Sequence, residues 1–515
     1  MADTSDTDVT AAWDRLTALP RPSLKDLFAD AGRVAAMTTT LDLPGGSIRF
    51  DWSKTHLSPD HVAAFEALAA AAGFAQRRAA LLAGERINVT EDRPVGHMAQ
   101  RGQGDAAMVE EASALHARMR GLVAAIRGGT FGTVRHLIHI GIGGSALGPK
   151  LALDALARPD QADPDAGPAI AVEVVANIDG QALEEAFARC DPAATMIAVA
   201  SKTFTTTETM TNAASALDWL KANGVADPYG RAVALTAAPD KAVEWGIDET
   251  RVLPFSESVG GRYSLWSSIG FPIALACGWD DFAEMLDGAA AMDRHFIEED
   301  GAANVALRAA FADLYYTHLV GCQTRACFAY DERLRLLPSY LQQLEMESNG
   351  KRATLDGKPV TQPTAPITWG GVGTDAQHAV FQLLHQGTAV VPVDFIAAII
   401  PGDTLDPVHH RNLLANCFGQ GAALMAGKAN ADPARAYPGD RPSATMLCED
   451  INPATLGALI AFHEHRTFAN GVILGINSFD QFGVELGKEI AKSIGQGGGH
   501  FDTSTTALMK AAGIA

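Results

Sequence analysis

Two carboxylates stand two residues apart in Glu345-Met346-Glu347-Ser348-Asn349-Gly350-Lys351, where a helix runs into a loop. A partly desolvated carboxylate can take a proton from carbon, and Glu347 is the candidate. Glu345 is its internal competitor, and a solvated helical acid is the plain alternative. Arg262, in Gly260-Gly261-Arg262-Tyr263-Ser264, stays protonated and so cannot be a base. It can steady oxyanionic charge that grows during a reaction; its plain alternative is a helix-start arginine in a surface ion pair. His378, in Gly373-Thr374-Asp375-Ala376-Gln377-His378, titrates near neutrality and suits proton transfer at a ring oxygen, although a lone histidine is more often structural. In the run Asn477 to Lys488, a helix beginning near Asp480 would set Gln481 and Lys488 on one face, two turns apart along one elongated ligand.

Two further stretches have the composition of anion loops. His139-Ile140-Gly141-Ile142-Gly143-Gly144-Ser145-Ala146-Leu147-Gly148 starts at the end of an apolar strand and enters a helix. Glycines such as Gly144 let backbone N–H groups approach an anion, and Ser145 adds a hydroxyl; a tight strand-to-helix turn is the plain alternative. No ribose-binding carboxylate ends the next strand, where Glu173 lies inside instead, so the dinucleotide pattern is incomplete. The second stretch, Ser201 to Thr209, packs one ammonium (Lys202) and six hydroxyls into nine residues after another apolar strand. Ser201, Thr203 and Thr206 at a helix start can coordinate a phosphate dianion in the helix field, with Lys202 compensating charge. A helix cap needs one such hydroxyl rather than six.

The elements that must carry these groups alternate. Strands are predicted at Val134 to Ile140, Ile170 to Ala176, Thr195 to Ala200, Arg231 to Ala237 and Val252 to Phe255, with helices between. That order implies a mostly parallel sheet with right-handed crossovers, so both anion loops emerge on its C-terminal side, where open α/β sheets bind ligands. Residues 8 to 83 read largely as helices, with an extended stretch near Ser47 to Asp51, and another helix runs from about Asp105 to Ile126. Beyond residue 276 the pattern is less regular. Helices are expected at Phe311 to Leu319, Ser339 to Leu344, Ala422 to Ala429 and Ala454 to Phe462, and strands at Val390 to Ile399 and Val472 to Ile476. The expected division is a helical segment at 1–104 packing on the larger domain, a smaller α/β domain at 105–275 and a larger one at 276–515 with C-terminal helices.

The 515 residues, 47% hydrophobic and 19% charged, have a globular balance. A formal charge of -20 argues against nucleic acid or an anionic membrane as partner, and requires that a phosphate pocket concentrate its own donors. The six cysteines form no zinc pattern and suit a reducing compartment. The start, MADTSDTDVTAAWDRL, lacks a basic region followed by an apolar one, and no apolar run approaches membrane-spanning length. A soluble, cytoplasmic protein is expected. No histidine or cysteine cluster calls for a metal, and none of the motifs asks for an organic cofactor.

Taken together, the motifs resemble glucose-6-phosphate isomerases. The landmarks are GERINVTEDR at 84–93, IGIGGSALG at 140–148, SKTFTTTET at 201–209, VGGRYSLWSSIG at 259–270, YLQQLEMESNGK at 340–351, GTDAQHAVFQLLHQGT at 373–388, HHRNLLANCFGQ at 409–420 and GINSFDQFGVELGK at 475–488. Any one glycine-rich piece is weak; the ordered set is specific. The resemblance implies a homodimer of subunits with two doubly wound α/β sugar-isomerase domains, interconverting glucose 6-phosphate and fructose 6-phosphate without a cofactor. It implies that Glu347 moves a proton between C2 and C1 through a cis-enediol or enediolate, and that Arg262 faces the developing charge. His378, brought by the neighbouring subunit, and Lys488 would serve ring opening. Gly144, Ser145, Ser201, Lys202, Thr203, Thr206 and Gln481 would bind the phosphosugar. Ala146 replaces the family's usual acid, Thr207 its glutamine, Glu257-Ser258 its Asp-Trp and Asp375-Ala376 its Asn-Gly. A broader isomerase also taking mannose 6-phosphate and a catalytically silent phosphosugar-binding protein are the competing readings. A nucleotide-dependent oxidoreductase fits less well.

Overall fold

The computed structural model describes residues 5–157 and 169–514. Met1 to Thr4, which open the stretch read for a leader, residues 158–168 in the smaller α/β segment, and Ala515 lie outside the described residues.

Five parallel strands form the smaller sheet: β3 (His136–Gly141), β4 (Ala171–Val175), β5 (Thr195–Ala200), β6 (Ala232–Thr236) and β7 (Val252–Pro254), in the order β4-β3-β5-β6-β7. β5 and β6 are buried at every position, which is why they read as unbroken apolar runs rather than alternating ones. Helices Gly144–Leu156 and Thr207–Ala222 follow β3 and β5 directly.

The larger sheet has six strands in the order β1-β2-β11-β10-β8-β9. Here β8 (Thr324–Tyr330), β9 (Ile367–Val372), β10 (Val393–Ala398) and β11 (Ser443–Cys448) run parallel. The hairpin of β1 (Thr38–Leu43) and β2 (Gly46–Asp51) adds to β11 antiparallel. The mixed α/β class with mostly parallel sheets is as expected. The first hundred residues, however, are not only helical: they close one edge of the larger sheet.

Two elements correct the sequence reading. Val472 to Ile476 is not a strand. Val472 and Ile473 complete the 21-residue helix Pro453–Ile473, which is buried along almost its whole length, and a short buried apolar run at a helix end reads like a strand. Nor do Gln481 and Lys488 share a helix face. A short 3₁₀ turn (Phe482–Val484) intervenes and the helix begins only at Glu485, so Gln481 stays in the preceding loop.

The Pro453–Ile473 helix packs along Trp279–Glu298, and a fully buried ion network joins the pair. Arg101 donates Nε and Nη2 to the two oxygens of Asp293 at 2.7 and 2.8 Å, and Nη1 to Glu464. Burial opposes the charge on Arg101, but the Asp293 and Glu464 carboxylates outweigh it and raise its pKa. Trp266 Nε1 donates to Glu464 Oε1 at 2.8 Å, so the turn bearing Arg262 is fastened to this central helix.

Candidate active site

Parallel pairing sets the two anion loops side by side. In the register of β3 against β5, Gly141 lies opposite Ala200, so the chain leaves both strands at the same level. Each then enters a helix whose N-cap residue, Gly143 or Thr206, makes no side-chain cap. The Thr206 hydroxyl instead shares a hydrogen bond with Ser201 Oγ at 3.0 Å, and Thr203 Oγ1 shares one with Thr205 Oγ1 at 2.9 Å. The hydroxyls therefore organise one another across the loop mouth, beside two positive helix ends. Buried His139 fixes the glycine loop from beneath, with Nε2 2.7 Å from the Ser145 carbonyl. Burial pushes this imidazole down to about 4, partly offset by that hydrogen bond, so at neutral pH it is an uncharged donor.

The Lys202 ammonium is directed elsewhere. It donates to the carbonyls of Glu257 at 2.7 Å and Val259 at 2.9 Å. Burial first, and then the Arg93 charge, lower its pKa to about 8 against the pull of Glu91 and Glu257. The glycine loop touches the same region: a Cβ on Gly144 would stand 2.1 Å from the Gly261 carbonyl oxygen and 2.6 Å from the Arg262 nitrogen, so only glycine fits there.

Arg262 is 1% exposed at its side chain and Glu347 23%. The guanidinium is therefore a buried fixture and the carboxylate a half-open group facing it. Arg262 donates Nε to Ser348 Oγ at 2.6 Å, Nη1 to Glu347 Oε1 at 3.1 Å and Gln481 Oε1 at 3.0 Å, and Nη2 to the carbonyls of Ser478 and Asp480. The other Glu347 oxygen accepts from Gln343 Nε2 at 2.9 Å. Residues Gln342–Glu347 form a π-helical turn, a widened geometry often found at functional sites. That turn separates the two candidate acids. Glu345 points into the core, accepting from Arg325 and from Thr368 Oγ1 at 2.6 Å, while Glu347 faces the site.

Among the described residues, His378 and Lys488 make no hydrogen bond or ion pair, to this centre or elsewhere. Both are exposed, on helices Asp375–Gln386 and Glu485–Gly495. His378 instead lines a groove of about 590 Å³ with Phe381, His385, Gln420 and Tyr437. A larger cavity of about 1080 Å³, beside β4, contains none of the candidate residues. Among the described residues no group of three or more His, Cys, Asp or Glu side chains is gathered so as to hold a metal ion. No described helix is long and apolar enough to cross a membrane.

Buried Arg262 thus meets half-open Glu347, with a hydroxyl-rich loop tied to the same turn through Lys202. The sequence matches the family described as Phosphoglucose isomerase over residues 51–509. The chain belongs to the phosphoglucose isomerase family. It is 71% identical over 504 residues to a Novosphingobium aromaticivorans protein named glucose-6-phosphate isomerase, with 98% of each chain covered. A Zymomonas mobilis protein of that name is 61% identical over 507 residues, again covering 98% of each. The crystal structure of a glucose-6-phosphate isomerase from Chlamydia trachomatis superposes with a TM-score of 0.86 at 29% identity, over 100% of this chain and 99% of that one.

Several residues that build the site in this phosphoglucose isomerase family member escape the sequence reading. Ser348 accepts from Arg262 and also bonds the Tyr263 hydroxyl at 2.9 Å. Lys351 donates to the Glu347 carbonyl at 2.9 Å and pairs with Asp480 Oδ1 at 2.9 Å, joining the helix of Glu347 to the loop of Gln481. Asp480 in turn accepts from Thr90 at 2.6 Å, and Asn477 donates to Asn88 Oδ1 at 2.8 Å. The 84–93 landmark thus braces that loop from almost four hundred residues away. Gln343 was legible as the i−4 neighbour of Glu347; the partners of Asp480 carried no local signal.

Proposed function

We propose that this chain reversibly isomerises D-glucose 6-phosphate and D-fructose 6-phosphate, without a metal, through ring opening and a cis-enediol(ate). The observation that carries the reading is the Arg262–Glu347 contact next to the paired anion loops. Gly144, Ser145, Ser201, Thr203 and Thr206 would hold the phosphate, with Lys202 beside them. Gln481, already on Arg262 Nη1, would contact the sugar. In the opened aldose the Glu347 carboxylate takes the C2 proton, the C2–H pair becomes the C1=C2 bond, and O1 takes up the carbonyl electrons. Arg262 faces that charge, a proton passes from O2 to O1, and Glu347 returns its proton to C1, leaving a ketone at C2. Binding energy from the remote phosphate orients the carbons that react.

His378 and Lys488 enter this scheme through ring opening, and their exposed positions favour a homodimer in which His378 crosses to the neighbouring site. The Glu485–Gly495 helix supports the same view. It buries no residue, yet Leu486 is 65% and Ile490 42% exposed, a face that needs a cover, and we assign it to a second copy. The division into 1–104, 105–275 and 276–515 belongs to this proposal, with the β1–β2 hairpin of the first segment joined to β11 of the third. A cytoplasmic location, without nucleic-acid or membrane partners, completes it.

The test is to offer purified protein glucose, fructose and mannose 6-phosphates in chelator, with no nucleotide, and follow the products by proton NMR. Interconversion of the first two alone is expected. Conversion of the mannose compound would favour the broader isomerase, and saturable binding without turnover would overturn catalysis.

A further inference from the structure

We propose that Lys202 is a positioning residue that ties the hydroxyl-rich loop to the turn bearing Arg262, so that the phosphate loop sets where the guanidinium stands. The proposal rests on the reading that residues 201–206 hold the substrate phosphate, and it gives Lys202 a role other than direct charge compensation.

The lysine is fixed at both ends. Its carbonyl accepts from Ala237 N at 3.0 Å and Thr236 Oγ1 at 3.2 Å, which anchors its backbone to the end of β6. Its ammonium crosses to the Glu257 and Val259 carbonyls, five and three residues before Arg262. Between those acceptors, the Ser258 carbonyl takes the Gly96 N–H at 3.0 Å, so the strap from 257 to 259 is held on both sides. Directly after it come Gly260 and Gly261, which offer little stiffness of their own. Without the ammonium, two carbonyls of the strap lose their donor and the glycines have less to hold them. The second contact between the loops and this turn, Gly144 against the Gly261–Arg262 peptide, is steric and cannot pull. The Lys202 ammonium, by contrast, is a hydrogen-bonded tie between that loop and the strap. Two of the three ammonium N–H groups are spent on these carbonyls, so the strap rather than an anion takes most of its hydrogen bonding.

The experiment compares wild type, Lys202→Met and Lys202→Arg in three measurements: kcat and KM for glucose 6-phosphate, inorganic phosphate affinity by calorimetry, and thermal midpoint. The methionine keeps the apolar stem and removes the donors. Its kcat should fall about 10-fold or more through misplacement of Arg262, while inorganic phosphate affinity stays within about 2-fold of wild type. Lys202→Arg, which can still donate to both carbonyls, should recover much of the lost kcat. A large loss of phosphate affinity with kcat unchanged would make Lys202 a phosphate ligand and overturn the proposal. So would an unchanged kcat, or losses in both variants that follow the thermal midpoint alone. Should the methionine variant fail to fold, Lys202→Gln, which keeps one donor group, takes its place with the same expected split. Wild-type turnover is read separately: if wild type does not isomerise the sugar phosphates, the functional reading fails and this proposal with it. If wild type turns over normally, only the role of Lys202 is at stake.

Discussion

Arg262 Nη1 reaches Glu347 Oε1 at 3.1 Å, and the other four N–H positions of the guanidinium are taken by Ser348, Gln481, Ser478 and Asp480. On the proposed function a substrate oxygen would displace Glu347 or Gln481 from Nη1, while Nε and Nη2 keep the group in place. The planar fork matters as much as the charge.

Arg262→Lys keeps the charge but supplies three donors where five are used. We expect kcat to fall by about 10² or more, as on loss of an oxyanion donor. Stability should also drop, since buried acceptors left alone cost about 1–3 kcal/mol each. Steady-state kinetics and urea unfolding of the variant check both. A rise in KM with kcat intact would contradict the assigned role.

Substituting the two acids separately should split their duties. Glu347→Gln should lower exchange of the C2 proton with deuterated solvent by about 10³, with phosphosugar binding and the unfolding midpoint little changed. Glu345→Gln should instead weaken the fold by about 1–3 kcal/mol, because Arg325 and Thr368 lose a charged acceptor while Asp313 and Asp394 still pair the arginine. Normal turnover in the Glu347 variant would remove it as the base.

How far these residues can be read without coordinates depends on what surrounds them. β5 is legible to the residue because both of its faces are buried and a hydroxyl-rich loop ends it. β8 is hidden, since it opens on polar Thr324 and Arg325 and leaves only a short apolar run, and that arginine is buried because Asp313, Glu345 and Asp394 converge on it from three other elements. β9 is hidden by Gly370 and Gly371. At the site, Arg262 and Glu347 are each recognisable by type and motif, but their meeting across eighty-five residues is a product of packing. The direction of the Lys202 ammonium follows from a strap fifty-five residues away and has no local signature.

Whether His378 acts across the interface can be decided by pairing two inactive chains. Glu347→Gln and His378→Ala should each be nearly inactive as pure dimers. After subunit exchange, half the dimers are hybrids with one intact site, so about a quarter of wild-type activity should return. If His378 served its own chain, no hybrid would hold an intact site and the mixture would stay silent.

The last prediction concerns acid. His139 is fully buried, its Nε2 is on the Ser145 carbonyl, and its Nδ1 has no partner, so a second proton would place an uncompensated charge under the anion loop. Burial holds its folded pKa near 4, below the ~6.5 of an unfolded histidine. Between those values the unfolded chain binds the extra proton and the native one does not. The contribution is thus complete above about pH 6.5 and is lost as pH falls towards 4, at most ~3 kcal/mol for this one group. His318, lowered to about 4 by burial, adds in the same window, and buried His97, His463 and His465 are shifted in the same direction. Urea unfolding at half-unit steps from pH 7 to 4.5 should show stability falling steadily. His139→Gln, whose amide can still donate to Ser145, should lessen that slope by about one proton, or ~1.4 kcal/mol per pH unit. A wild-type curve flat over this range, or a variant with an unaltered slope, would mean that His139 is already protonated in the native state.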